Sequence, residues 1–390
     1  MNYLTINFKE KKELLNLGSF LFFSGVFFIP SSLFIGIIFL LPASFLGSFL
    51  QNKSFFKDKW NYPFIVFGII ILTNSLLQNF VLINNYEEIW DPILSIIGLG
   101  NWIPFLYFFW AFQPYLDSTE KRRHLGIILI TGSVPVLVSG FGQYFLNWTG
   151  PFTALNGLII WYQKPIEAPA GLSGLFSNQN YTGSWLSFVW PFCIALILEK
   201  KNGLIENFVA FCFLISVGFA SFLTYSRNAW LGLLVSIPFV LEHKGRKFFL
   251  FTMIFLTFIF CLIYSPIFIG DIQHEIKDIF PQKFLLEFTE DGYQELDVTR
   301  MEIYLSTINL IKTNPIFGIG GASFSAIYFL ETTFWKGHSH NLLLELAVSY
   351  GLPASIIFFL IITYILFKSG KLIFFRKSFN NIFLFDRAIW

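Results

Sequence analysis

The sequence predicts an all-α polytopic membrane protein with about ten transmembrane helices and a large helical extracytoplasmic loop. Hydrophobic residues make up 55% of the 390 residues and charged residues only 13%, whereas an ordinary soluble domain carries roughly 25% charged residues. The apolar residues also gather into runs of about 20, the length that a helix needs to cross ~30 Å of hydrocarbon. Lysine and arginine are concentrated in alternate loops, as they are in multi-pass membrane proteins.

Each predicted span is an apolar run bounded by polar or charged residues. The runs cover residues 14–29, 31–50, 62–83, 93–116, 125–146, 181–198, 208–224, 228–241, 248–269 and 341–367. An eleventh run begins near Ile382 and stops at Trp390, which is the pattern expected of a truncated or incomplete chain.

The positive charges place the N-terminus in the cytoplasm, because the lysines and arginines cluster in the loops that share its side. We expect residues 1–13 to be a cytoplasmic tail that leads into a retained anchor rather than a cleaved signal peptide. Nine transmembrane helices are predicted within 14–269, followed by an extracytoplasmic loop at 270–337. The last helix and a C-terminal segment are predicted within 338–390.

The long outer loop contains a predicted amphipathic helix from Val298 to Lys312, because apolar residues recur there with helical spacing. These residues are Met301, Tyr304, Leu305, Ile308 and Ile311. Pro315 follows the segment and ends the helical pattern.

Composition also excludes several kinds of function. The formal net charge of +2 excludes an extended nucleic-acid-binding surface. Cys193, Cys212 and Cys261 lie in separate apolar runs and form neither a disulfide framework nor a CxxC metal site.

Arg227 is the first candidate for a binding site. It lies in TYSRNAWLG, between two apolar runs of which the second is short. A recessed cation of this kind usually faces a cavity and has a partner, because burying it in lipid costs roughly 2.5–3.5 kcal/mol. The alternative is an arginine whose guanidinium group extends to phospholipid head groups.

Arg300, His338 and His340 are the other candidates, and the predicted topology puts them on the same outer side as Arg227. Taken alone, Arg300 could be a solvated charge on a helix, and a histidine at a membrane interface is often structural. A histidine pair spaced HxH can also bind a metal ion, but metal sites usually have a third or fourth ligand. The sequence offers no second His or Cys cluster on that side.

Four segments in this order resemble the O-antigen ligase/polymerase family of bacterial envelope membrane proteins. They are GLFSNQNYTGSWLSFVWP, TYSRNAWLG, TRMEIYLSTINLIKTNPIFGIGGASF and HSHNLLLELAVSYGLPA. The resemblance covers roughly residues 170–360. Asn228 stands where the family usually has glycine, so we expect a changed turn after Arg227.

The resemblance implies a glycosyltransferase of the bacterial plasma (inner) membrane that acts on the extracytoplasmic face. Its donor would be a polyprenyl-diphosphate-linked glycan and its acceptor a hydroxyl group of a lipid or glycan. The family uses no metal, cofactor or nucleotide, and in-line attack would invert the anomeric carbon. Membrane lipids are the remaining expected partners.

The resemblance also implies roles for individual residues. Arg227 and Arg300 would bind the diphosphate, His340 would accept the acceptor proton, and His338 would orient or assist His340. Asparagine side chains are further candidates for substrate contacts, namely Asn178, Asn180 and Asn341.

Two other classes of function remain open at the level of sequence. A transporter of a small anion would use the arginines as an entry site, although transporters usually place polar groups near the bilayer midplane. A non-catalytic envelope assembly protein would not need the arginines. Within the family, the sequence does not separate a ligase from a polymerase.

Overall fold

The computed structural model describes residues 8–80, 90–166, 170–199, 203–264, 298–374 and 384–390. This part of the chain is mostly helical, with one two-stranded antiparallel sheet that pairs β1 (Phe152–Ala154) with β2 (Ile159–Trp161). The helices are α1 Phe8–Phe28, α2 Leu33–Leu50, α3 Tyr62–Phe80, α4 Ile93–Gly98, α5 Ile103–Ala111, α6 Thr119–Gly132, α7 Val134–Leu146, α8 Gln179–Ile197, α9 Leu204–Leu223, α10 Arg227–Tyr264, α11 Arg300–Thr313, α12 Ser323–Thr332, α13 Leu342–Tyr350, α14 Leu352–Phe374 and α15 Leu384–Ile389.

The chain forms two compact units that alternate along the sequence. Unit 1 contains Met1–Leu50, Phe112–Leu285 and Ile373–Trp390, and unit 2 contains Gln51–Ala111 and Leu286–Leu372. The domain boundaries expected from the sequence stay a prediction.

Membrane-spanning segments are evident from length and composition. Among the described residues, six helical stretches are long and apolar enough to cross a membrane. They are Leu33–Leu50, Lys59–Phe80, Ile93–Ala111, Thr119–Leu146, Leu204–Leu223 and Leu352–Phe374. The helical fold class is confirmed, and the count of about ten spans stays a prediction.

The predicted spans 228–241 and 248–269 were wrong as separate helices. Residues Arg227–Tyr264 form one continuous helix of 38 residues, with Pro238 inside it. At 1.5 Å per residue this helix is about 57 Å long, which exceeds the thickness of a bilayer. Charged residues at 242–247 looked like a loop in the sequence, but glutamate, lysine and arginine are good helix formers. The remainder of the second run and residues 270–297 of the outer loop lie outside the described residues.

The predicted last span, 341–367, is also divided in the structure. Helix α13 ends at Tyr350 and α14 begins at Leu352, with Gly351 between them at φ 86°. This left-handed region strongly favours glycine. A Cβ atom there would also overlap with the carbonyl oxygen of Ile316, so the break between the two helices requires glycine.

Two ion pairs in unit 1 are formed by neighbouring arginines in the first turns of α6. Arg122 donates to Asp386 through Nε at 2.5 Å and through a terminal nitrogen at 3.2 Å. Arg123 donates to both carboxylate oxygens of Glu199, at 2.7–3.0 Å. The first contact attaches α15, part of the predicted eleventh run, to α6; of that run, Ile382 and Phe383 lie outside the described residues.

Unit 2 has two hydrophobic clusters. The first lies between α3 and the helices α13 and α14, and its fully buried members include Phe67, Ile71 and Leu346. The second packs α11, α12 and α13 against each other through residues such as Ile303, Phe324 and Val348. Helix α13 belongs to both clusters and therefore joins α11 and α12 to α3 and α14 within unit 2.

The helix predicted from Val298 to Lys312 is confirmed, but most of its predicted apolar face is not buried. Of the residues that gave the apolar spacing, Ile311 is buried, whereas Met301, Leu305 and Ile308 are exposed. Helix α11 begins at Arg300 behind a capping box, in which Thr299 accepts from the Glu302 backbone and Glu302 accepts from the Thr299 backbone. It ends at Thr313, shortly before Pro315. The sequence analysis did not predict α12.

Candidate functional site

The first two sequence motifs come together in unit 1. The backbone N–H of Leu172 donates to the carbonyl of Leu223 at 2.9 Å, which pairs the residues just before the first motif with the end of α9, just before the second motif. Within α8, a Cβ atom at Gly183 would lie 2.9 Å from the Cβ atoms of Ser226 and Ala229. Glycine is therefore needed where α8 approaches the Ser-Arg turn.

Arg227 lies at the first position of α10 and is half-buried. The turn that precedes it is built by Tyr225, which has φ 52°, and by Thr224, whose hydroxyl donates to Ser221 and accepts from the Ser226 N–H. A bulky residue in this left-handed region is strained, by roughly 1–3 kcal/mol. Asn228 lies inside α10, so the departure from the family pattern does not fall in the turn, contrary to our expectation.

A pair of phenols adjoins this turn. The hydroxyl oxygens of Tyr144 and Tyr225 are 3.1 Å apart. Both side chains are half-buried, and the pair holds Tyr225 in the conformation that positions the start of α10.

Asn178 and Asn180 have a local structural explanation. Asn178 is the N-cap residue of α8, and its side-chain oxygen accepts from the backbone N–H of Asn180 at 2.8 Å. Both side chains are exposed. Helix capping accounts for the asparagine at 178, and substrate contacts by either residue stay a prediction.

The third and fourth motifs come together in unit 2. The glycine-rich loop after α11 pairs with the end of α13: the N–H of Ile319 donates to Val348 at 2.8 Å, and that of Gly320 donates to Ser349 at 3.1 Å. Side chains from the same unit complete this arrangement. Gln78 of α3 donates to the carbonyl of Gly318 at 2.7 Å.

Further buried polar groups fix the same loop. Trp90 donates to the carbonyl of Gly321 at 3.2 Å, and Ser95 accepts from the Gly321 N–H at 3.1 Å. Asn74 of α3 donates to the carbonyl of Tyr350, at the end of α13. These bonds satisfy backbone groups that the breaks in helical structure leave free, as a buried site requires.

The two histidines lie side by side before α13. Their ring centroids are 4.4 Å apart with an interplanar angle of 74°. Nδ1 of His338 accepts from the backbone N–H of His340 at 3.1 Å, so His338 is held as the tautomer that is protonated on Nε2. His340 has φ 56°, a left-handed conformation that costs an ordinary residue roughly 1–2 kcal/mol.

Positive charges lie near His340. Partial desolvation, the His338 ring, and the charges of Arg300 and Lys336 together lower the pKa of His340. These causes favour the neutral imidazole, the form that accepts a proton. The structure thus brings Arg300 and His340 into electrostatic contact within unit 2.

Lys336 was missed by the sequence analysis. It lies two residues before His338, is half-buried and contributes to the field at His340. Its position before the histidine pair was the only signal in the sequence. Glu345 was also missed, although its carboxylate accepts from the backbone N–H of Ser339 at 2.8 Å.

Asn341 is the N-cap residue of α13. Its side-chain oxygen accepts from the N–H groups of Leu343 and Leu344, at 3.0 and 3.1 Å. Only its amide nitrogen is left for the predicted substrate contact, which stays a prediction.

The described residues contain no group of three or more His, Cys, Asp or Glu side chains that could hold a metal ion. Arg227 belongs to unit 1, and Arg300, His338 and His340 belong to unit 2. A joint role for the residues of the two units is therefore still a prediction from the motifs.

Comparison with known families adds to these observations. Residues 209–359 match the model of a family described as O-antigen ligase. This segment contains Arg227, Arg300 and both histidines of the fourth motif. The resemblance seen in the sequence is confirmed over this part of the chain, and the apolar helices point to an integral membrane protein.

One curated protein is similar over part of the chain. It is the ComP-specific O-oligosaccharyltransferase of Acinetobacter baylyi, which is 25% identical over 223 residues. The match covers 52% of this chain and 36% of the relative. The chain therefore spans about a third of the length of that relative.

Proposed function

We propose that the protein transfers a glycan from a polyprenyl-diphosphate donor to a hydroxyl acceptor on the extracytoplasmic face of the bacterial plasma membrane. The transfer would invert the anomeric carbon and need no metal ion. The observation that carries the proposal is the pair of groups in unit 2: the His340 imidazole, whose pKa is lowered first by burial, and the Arg300 guanidinium group, whose charge adds to that lowering. The first is a proton acceptor and the second an anion ligand.

The chemistry has two demands that these residues meet. The hydroxyl oxygen of the acceptor forms a bond to the anomeric carbon while the bond from that carbon to the diphosphate oxygen breaks. The acceptor proton passes to His340, and the leaving polyprenyl diphosphate keeps the bonding electron pair. A positioned base typically contributes 10²–10⁴ in rate.

The leaving group gains negative charge as the glycosidic bond breaks. A guanidinium group binds phosphate oxygens through two parallel N–H donors, and the loss of one such electrostatic donor typically costs ~3 kcal/mol of transition-state stabilisation. Arg300 is assigned this role because it begins α11 and acts on His340. Arg227 is assigned the same role from its motif.

The relative supports an oxygen acceptor. Its name describes an O-oligosaccharyltransferase that is specific for ComP. For this chain we propose a hydroxyl group on a lipid, a glycan or a protein. Deletion of the gene followed by examination of surface polysaccharide distinguishes the options: loss of all attached polymer indicates a ligase, and single capped units indicate a polymerase.

The test uses membranes that contain the full chain and a labelled undecaprenyl-diphosphate-linked oligosaccharide. Release of labelled undecaprenyl diphosphate measures turnover whatever the acceptor is. We expect H340A, R300A and R227A each to reduce turnover at least 10²-fold while the amount of protein in the membrane is unchanged. K312A is the matched control, because Lys312 lies at the far end of α11.

Near-normal turnover by H340A would refute the proposed base. Loss of turnover on addition of a chelator would instead favour a metal site. Flux of a small anion through the purified protein in liposomes, without glycan transfer, would favour the transporter.

A further inference from the structure

We infer that Glu345 is a positioning residue that holds His340 in its left-handed conformation, an inference that rests on the proposed function. His340 is neither glycine nor asparagine, yet it has φ 56°. Such a conformation persists only where the surrounding contacts hold it. The contacts that surround it therefore indicate which residues prepare the imidazole for proton transfer.

Glu345 makes the strongest of these contacts. It lies in the first turn of α13, and its Oε2 accepts from the backbone N–H of Ser339 at 2.8 Å. A hydrogen bond to a carboxylate is roughly twice as strong as one between neutral groups. Ser339 is fully buried, so its N–H has no water to replace the carboxylate.

The Glu345 contact acts on the residue between the two histidines. On one side of Ser339, His338 accepts from the N–H of His340 at 3.1 Å. On the other side, the Ser339 hydroxyl donates to the carbonyl of Asn341 at 3.1 Å. The three bonds close a short turn around His340. The Glu345 carboxylate ties that turn to α13 together with the capping bonds of Asn341, and the Tyr304 hydroxyl of α11 donates to the His340 carbonyl at 3.5 Å.

Glu345 does not act on the charge of the imidazole. Burial is the largest cause that lowers the pKa of His340, and His338, Arg300 and Lys336 add to it. The second carboxylate oxygen of Glu345 faces the Ser349 hydroxyl at 3.4 Å, on the side away from the histidines along α13. Its role is therefore to fix backbone geometry, and the amide oxygen of glutamine can serve in its place.

The experiment compares E345A, E345Q and E331A in the turnover assay described above. Glu331 is the matched control, because it is another carboxylate of unit 2 and its contact is with Ser306. We expect E345A to lower kcat on the order of 10–10² fold, since a displacement of ~1 Å can cost 10²-fold in rate. The KM for the donor should stay within about threefold, because Glu345 does not touch the anion ligands. E345Q should restore most of kcat.

A measurement without turnover keeps this inference separate from the proposed function. Hydrogen–deuterium exchange of the peptide that contains residues 338–341 should be faster in E345A than in the wild type, and unchanged in E345Q and E331A. An inactive wild-type protein would refute the proposed function, while the exchange result would still decide the role of Glu345. Slow exchange in E345A, or an E345Q variant as inactive as E345A, would overturn the inference.

Discussion

Substitutions of Asn341 can distinguish two roles that the sequence allows for this residue, namely helix capping and contact with substrate. Its oxygen caps α13 through two N–H groups, at 3.0 and 3.1 Å. Replacing an N-cap asparagine with alanine costs about 0.5–2 kcal/mol. Because 1–2 kcal/mol corresponds to a factor of about 5–30 in a population, N341A should lower turnover by no more than about that factor if capping is the whole role.

Aspartate at the same position keeps both hydrogen bonds, and its charge interacts favourably with the helix N-terminus by roughly 0.3–1 kcal/mol. We therefore expect N341D to have nearly wild-type turnover. A substrate contact through the amide nitrogen predicts the opposite, because aspartate has no N–H donor and would repel a diphosphate. The assay is the release of labelled undecaprenyl diphosphate.

S118D and S118A form the matched control pair, since Ser118 caps α6 through its side-chain oxygen and is not a candidate for substrate contact. An N341D variant as inactive as N341A, with S118D fully active, would refute the capping explanation for Asn341. It would assign the amide group to the substrate.

Two further predictions follow from charges in the structure. Together with burial, the charge of Lys336 lowers the pKa of His340. K336Q should therefore raise that pKa and move the acidic limb of the kcat/KM profile to higher pH, because the base is active only above its pKa. An unmoved limb would refute the assignment of His340 as the base. Arg122 is the partner of a buried carboxylate, Asp386, so R122A should destabilise the protein by about 1–3 kcal/mol, measured by thermal unfolding in detergent. Removal of Asp117, whose carboxylate is 61% exposed in its ion pair, should change stability little, and equal effects of the two substitutions would contradict this reasoning.

Helix boundaries show where sequence reasoning failed and why. The charges at 242–247 interrupted the apolar pattern and predicted a loop, but α10 continues through them, as the helix propensity of glutamate, lysine and arginine allows. The run 341–367, by contrast, has no charged residue that marks a loop, yet it divides at Gly351. The Asn74 side chain, which donates to the Tyr350 carbonyl at this break, is a partner too distant in the sequence for a local pattern to reveal.

The sequence alone determined the class of the protein and the four motifs of the candidate site. Three features of the chain do not depend on how it packs: its composition, its apolar runs of membrane length and the order of its arginine and histidine motifs. The presence of α11 was also readable, because helical spacing and the proline that follows it are local, but the face that it buries was not.

Only the tertiary structure decided which motifs meet and in what chemical state. It pairs the first motif with the second and the third with the fourth. It also partly desolvates His340 and places Arg300 and Lys336 where their charges add to the lowering of its pKa. Electrostatic interaction depends on distance in space, and hydrogen bonds such as that from Ser339 to Glu345 depend on the conformation of the backbone. Neither the distances in space nor the backbone conformation can be read from the sequence.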